Sequence, residues 1–229
     1  MAEIVIHSIS GPINMPDIDT FLFDLDGTLI DSLDLHIEAF QWILDKLGKD
    51  ISKKELEPLM GKTPQDIIKK FFGNLTREEL LHAATQKEDK LANIIESVYV
   101  YPHISTFLKQ LKENNLKSIV ISSTHRRLVK ILLDKAELLQ FLDDIVSGDE
   151  VNHGKPNPEP FAKGVIKANT KSNQTIAIGD SIHDFQSASA AGCNFVGILT
   201  GKTDEKTFLN AGCKILVNTI SDFEIVKNL

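Results

Sequence analysis

The residues with the clearest chemical potential are two acids in Asp24-Leu25-Asp26-Gly27-Thr28, directly after the apolar run Phe21-Leu22-Phe23. Residues two apart on an extended segment project the same way, so Asp24 and Asp26 can face one site. Two carboxylates held that close repel unless a cation lies between them or one takes up a proton. Mg²⁺ suits such a pair, because it prefers carboxylate and water oxygens in octahedral geometry. Gly27 lets the chain turn sharply behind the acids without a Cβ clash. A plain polar turn is the alternative for Asp-x-Asp-Gly, since both residue types favour turns. The place of the motif favours a site, because ligands of parallel sheets bind beyond the carboxyl ends of strands.

Apolar runs of strand length recur at 20–24, 117–122, 144–147, 175–179, 195–199 and 214–217. Between them, amphipathic segments near 103–114, 125–136, 159–168, 184–191, 204–211 and 221–229 read as helices. This alternation predicts an α/β fold, a Rossmann-like doubly wound parallel sheet covered on both faces. Residues 32–98 read differently, as helix only. Leu33, Ile37, Phe40, Leu44 and Leu47 recur at steps of four and three, and Gly48 supplies a stop. Ser52 with Glu55, Thr63 with Pro64 and Asp66, and Thr76 with Glu79 mark three further helix starts. The pattern predicts a four-helix cap domain at 31–99, inserted into a core domain made of 1–30 and 100–229. Residues 1–18 read as a short strand or an unstructured lead-in.

The Asp24-x-Asp26-Gly27-Thr28 motif after a core strand resembles the signature of the haloacid dehalogenase superfamily, and the rest of that signature follows in order. Ser122, with Ser123 beside it, ends the second core strand, where the resemblance implies a hydroxyl that holds the transferring phosphate. Lys155, in Gly154-Lys155-Pro156-Asn157-Pro158, matches the family lysine that offsets the charge of nucleophile and phosphate. Asp180 and Asp184, in Gly179-Asp180-Ser181-Ile182-His183-Asp184, match its acidic cluster, Asp180 completing the metal shell and Asp184 bracing it. The resemblance spans 19–229, and the helical insertion is similar to the family's α-helical cap.

It implies that Asp24 attacks phosphorus and becomes an aspartyl phosphate. Asp26 would protonate the leaving oxygen and then deprotonate the hydrolytic water, a role that a crowded acidic site should favour by keeping it protonated. Mg²⁺ would be held by Asp24, the Asp26 carbonyl and Asp180, with Thr28 orienting Asp26. The acid at Asp26 disfavours dehalogenase chemistry, because halide needs no proton, and phosphonoacetaldehyde hydrolases likewise replace it. Lys62 and Thr63 sit where the family's cap loop points to the active site. His36 falls near a site histidine of β-phosphoglucomutase-like members. All three are candidate substrate contacts, and a packed histidine or an ordinary helix–loop–helix turn is the alternative for each. The reading is a phosphatase of small phosphorylated metabolites, similar to phosphoglycolate phosphatases. A β-phosphoglucomutase-like mutase is the enzymatic alternative, although Pro64 takes the place of its cap-loop arginine. A catalytically idle binding protein is the third.

Composition limits the partners. The formal charge of −7 opposes nonspecific binding to nucleic acid or anionic membrane, but a few local donors can still capture one phosphate. No run approaches the roughly 18 apolar residues of a membrane span. The opening residues lack the basic and apolar regions of a secretory signal, and two cysteines cannot build a disulfide framework. A reducing cytoplasm is the expected setting.

Overall fold

The computed structural model describes residues 2–227. The chain opens with β1 (Ala2–Ser8), β2 (Gly11–Met15) and core strand β3 (Thr20–Phe23). It leaves the core through β4 (Ile30–Asp31) and forms α1 (Leu33–Lys46), α2 (Lys53–Leu56), α3 (Pro64–Phe71) and α4 (Arg77–Ile94). It returns through β5 (Tyr99–Val100), which pairs antiparallel with β4. The remainder alternates: α5 (Ile104–Glu113), β6 (Lys117–Ile121), α6 (Arg126–Lys135), β7 (Asp144–Val146), α7 (Glu159–Ala168) and β8 (Thr175–Gly179). Then follow α8 (Ile182–Ala190), β9 (Asn194–Ile198), α9 (Glu205–Asn210), β10 (Leu216–Val217) and β11 (Phe223–Lys227).

Six strands form a parallel sheet in the order β10-β9-β8-β3-β6-β7. Each of β3, β6 and β8 is almost wholly buried, as expected where helices cover both faces. The connections run outward from β3 in both directions, so the strand order reverses there. That is the switch point at which open α/β sheets bind ligands. The three strands that carry the chemical motifs are neighbours, with Phe23 opposite both Val120 and Ile178.

One expectation needs correction, and one open choice is decided. The segment at 221–229, read as a helix, forms a short 3₁₀ turn at Ile220–Asp222 and then strand β11; residues 228–229 lie outside the described residues. β11 pairs with β1, and β1 with β2, in a separate three-stranded antiparallel sheet. The cause is non-local. Phe223 and Ile225 alternate with Glu224, and they align opposite Ile6 and Ile4, which are fully buried. Phe223 packs against Phe21 and Phe107, joining this small sheet to the main core. Of the two readings for the opening segment, the strand holds: residues 2–15 form an ordered hairpin of β1 and β2.

The helical layer follows its sequence signals closely. Ser52–Glu55 and Thr76–Glu79 form capping boxes, and the Thr63 hydroxyl accepts from the Asp66 amide at 3.3 Å. Leu33, Ile37, Phe40 and Leu44 bury against Ile67, Ile68 and Leu80 in their own apolar cluster. Leu47 lies beyond the end of α1 and is exposed, unlike its predecessors in the repeat. Both cysteines are buried and unbridged, in line with small apolar residues.

Candidate active site

β3 ends at Phe23, and Asp24 follows it with its amide bonded to the Ile178 carbonyl of β8 at 2.9 Å. Gly27 has φ +97°, and a Cβ there would stand 2.5 Å from Asp180 Oδ2. Only glycine serves at this turn, because both the left-handed backbone and the approach of Asp180 exclude a side chain. The turn brings Asp24 against the end of β8. Carboxylate oxygens of Asp24, Asp180 and Asp184 all lie within 4.8 Å of one another, and the three residues are buried.

Lys155 answers part of this charge. Its Nζ donates to Asp24 Oδ1 at 2.6 Å and to the Ile121 carbonyl at 2.8 Å. It also forms an ion pair with Asp184 Oδ1 at 2.6 Å, off-angle for a hydrogen bond. Burial alone would lower the affinity of this ammonium for its proton. Asp184 and Asp24 override that and push its pKa up. Asp184 caps α8 as well, its Oδ2 accepting from the Ser181 amide at 3.2 Å and from the Ser181 hydroxyl. Both Asp184 oxygens are thus engaged.

One cation is too few for three buried acids. Burial first, then repulsion from Asp184 and Asp26, pushes Asp24 up to about 7 despite Lys155. Burial and the charges of Asp24 and Asp184 raise Asp180 well above the ordinary carboxylate range. Such an anionic, oxygen-only donor set fits a hard divalent cation such as Mg²⁺. Asp24 and Asp180 have the oxygens to hold it, whereas Asp184 is occupied by Lys155 and Ser181.

Asp26 lives in a different environment. Burial would raise its pKa, but His36 and the hydrogen bond from Ser32 outweigh that and bring it to about 2. The Ser32 hydroxyl donates to Asp26 Oδ1 at 2.5 Å, and His36 Nε2 lies 3.1 Å from the same oxygen. Behind His36 stands Lys87, fully buried, with Nζ 2.7 Å from His36 Nδ1 and 4.5 Å from the centre of the Phe40 ring. Crowding by acids therefore raises Asp24 and Asp180, not Asp26, contrary to the expectation for a standing acid at that position.

Other expected residues are placed as follows. The Thr28 hydroxyl donates to Asp180 Oδ1 at 3.3 Å, so Ser32 and not Thr28 orients Asp26. Ser122 is buried just past β6, its Oγ accepting from the Thr124 amide at 3.1 Å. The Ser123 hydroxyl donates to the Gly61 carbonyl at 2.5 Å, across to the helical layer, so it is spent on that contact. Asp24, Asp26, His36, Lys62, Lys87, Ser123 and Asp180 line one chamber of about 490 Å³ between sheet and helices. Thr63 does not reach it; its hydroxyl donates to Asp66 Oδ2 at 2.7 Å.

Three contributors escaped the sequence reading. Ser32 stood at a helix start, where a capping hydroxyl is the ordinary expectation, yet it makes no cap bond. Lys87 shares its helix face with Leu80, Ala83, Ala84 and Leu91, all buried. A lysine in register with core positions was the available signal. His183 lines the chamber and lies 3.3 Å from the Pro58 carbonyl, and nothing in its local sequence marks it.

Residues 21–198 match the family model for haloacid dehalogenase-like hydrolases. The chain belongs to that family. Among its relatives, pyrophosphatase PpaX of Bacillus mycoides (strain KBAB4) is 31% identical over 186 residues, covering 79% of this chain and 83% of that protein. Pyrophosphatase PpaX of Bacillus cereus (strain Q1) is 32% identical over 180 residues, covering 76% and 80%. A solved β-phosphoglucomutase from Clostridium difficile superposes with a TM-score of 0.78 at 25% identity, over 88% of this chain and 91% of that one. A solved hydrolase from Pseudomonas syringae gives 0.82 at 24% identity, over 89% and 95%, which speaks for the fold alone. Among the described residues no helix is long and apolar enough to cross a membrane.

Proposed function

We propose that this hydrolase is a Mg²⁺-dependent phosphatase of small phosphorylated compounds, working through an aspartyl phosphate on Asp24. The observation that carries this reading is the contrast between two acids two residues apart. Asp24 is held by Lys155 beside Asp180, while Asp26 is held by Ser32 and His36. Neighbouring carboxylates in opposed environments mark divided roles in covalent and acid–base catalysis.

Asp24 Oδ attacks phosphorus, the bond from phosphorus to the leaving oxygen breaks, and Asp26 delivers a proton to that oxygen. Water then attacks the aspartyl phosphate, gives a proton back to Asp26, and phosphate leaves with Asp24 restored. Because Asp26 rests ionised, its proton arrives by relay as negative charge grows on the leaving oxygen. His36 Nε2–H passes to Asp26 while Lys87 Nζ–H passes to His36 Nδ1, and both protons return after water is deprotonated. In the second step the resting carboxylate is already the base the water needs. Mg²⁺ on Asp24, Asp180 and the Asp26 carbonyl would screen nucleophile from phosphate and keep Asp24 ionised. Lys155 keeps Asp24 in line, and Ser122, just past β6, is the hydroxyl this reading assigns to the transferring phosphate. The relatives named pyrophosphatases add inorganic pyrophosphate to the substrates this site would serve. The helical layer supplies the walls that select among leaving groups, and the setting expected for such a metabolite enzyme is the cytoplasm.

The test is a panel of phosphorylated metabolites and pyrophosphate with Mg²⁺, comparing wild type with Asp24→Asn. The variant should lose at least about 1000-fold in kcat. No phosphate release from any compound, or equal release by the variant, would sink the reading. Isomerisation of a sugar phosphate without net release would move it to a mutase.

A further inference from the structure

Outside the chamber lies a second depression of about 1340 Å³, between α3, α4 and the loop at 148–157. Lys62 and Ser123 line both spaces, so one thin wall divides them. Across that wall the Ser123 hydroxyl donates to the Gly61 carbonyl. The outer groove differs in charge from the rest of the molecule. Lys62, Lys69, Lys70 and Arg77 line it, and among the described residues none has a carboxylate within ion-pair distance. Its acids are hydrogen-bonded by other groups and keep their charge: Asp66 by the Thr63 hydroxyl, Glu88 by the His125 amide and Asp149 by the Arg126 amide. The four cations outnumber those three acids by one, a local positive excess on a chain of net −7.

We propose that this groove is a collecting site for compact polyanions, carrying two phosphates or a phosphate and a carboxylate, which then enter the chamber past Lys62. The inference rests on the phosphatase reading and narrows its substrate class. A concave surface with unpaired cations focuses the field and raises the local concentration of small anions. An extended polyanion is disfavoured, because the acids of the loop wall and the net negative charge repel its outlying phosphates. Lys62, shared by both spaces, is placed to keep one cation beside the anion as it passes. Passage past Lys62 would break the Ser123–Gly61 contact.

Two measurements test this. With a bisphosphate substrate at low salt (about 20 mM), Lys69→Gln/Lys70→Gln/Arg77→Gln should raise KM about five-fold with kcat little changed. The same variant should flatten the fall of kcat/KM towards high salt (about 300 mM), while Lys109→Gln, in neither space, behaves as wild type. In ¹⁵N-labelled Asp24→Asn protein, pyrophosphate should shift the amides of 69, 70 and 77 saturably, and the triple substitution should abolish this. Amide shifts confined to chamber residues, or an unchanged KM and salt slope, overturn the proposal. Pyrophosphate binding in the groove of a protein that hydrolyses nothing would leave the groove standing and remove the phosphatase reading.

Discussion

Lys87 Nζ lies 2.7 Å from His36 Nδ1, and this contact sets the state of the ring that faces Asp26. An ammonium only donates, so Nδ1 must accept and the ring proton must sit on Nε2, towards Asp26. Burial pulls Lys87 down to about 8, with Glu88 and Asp26 offsetting part of the effect. Below that pH the lysine is charged and the tautomer is fixed; above it, the neutral amine can also accept, and the ring proton is no longer held on Nε2.

Activity should therefore fall above about pH 8 in wild type. Lys87→Met keeps the length and buries well, but it frees Nδ1 and removes a cation from the neighbourhood of Asp26. Its kcat should drop about ten-fold, more than KM changes, and the alkaline limb should disappear from the kcat profile. A pH–rate series on both proteins decides it; identical limbs would show that Lys87 only packs.

Lys155 holds Asp24 and Asp184 together at 2.6 Å each. Removing one partner from a buried ion cluster leaves uncompensated charge, which typically costs about 3–5 kcal/mol. Lys155→Met should lower stability in urea by that order at pH 8. At pH 5 the loss should shrink, because Asp24, raised to about 7, is then protonated and needs no cation.

The same carboxyl gives a linkage effect without any loss of lysine. Asp24 has a folded pKa of about 7 against an ordinary 3.8, so between those values the native state binds more protons than the unfolded chain. Stability of the metal-free protein should fall as pH rises from about 4 to about 7, and stay low above that. Asp24→Asn removes the buried charge and should raise the metal-free Tm at pH 8 by several degrees. Added Mg²⁺ should stabilise wild type more than the variant. Calorimetry across pH, with and without Mg²⁺, reads all three.

Much of this was legible in the sequence because it is local. Asp24 and Asp26 follow a buried run, Lys155 sits beside a proline, and each cap-layer helix starts on its own Ser or Thr. What was missed depends on pairing across the chain. β11 looks helical until Ile4 and Ile6 are set beside it, since five residues carry too little pattern to decide. Asp26 was expected to be an acid because its sequence neighbours are acids. Its actual neighbours are His36 and Lys87, brought by α1 and α4 from 10 and 61 residues away. Ser123 read as a phosphate ligand from its strand end, but the Gly61 carbonyl from the helical layer claims its hydroxyl.

Closure of that layer can be tested at a second contact. A Cβ on Gly154 would collide with Thr63 Cγ2, so the loop that carries Lys155 and the start of α3 meet with no room to spare. Thr63 cannot swing its methyl aside freely, because its hydroxyl caps α3 and donates to Asp66. Gly154→Ala should therefore push the 61–66 segment off the core, raising KM about five-fold and speeding hydrogen exchange there. Thr63→Ser deletes the colliding methyl and keeps the capping oxygen, and alone it should cost less than about 1 kcal/mol. Combined with Gly154→Ala it should restore KM, a non-additive pairing expected of residues in contact. If the double variant is as impaired as Gly154→Ala alone, the effect of that alanine lies in the backbone of the Lys155 loop and not in the approach of the helical layer.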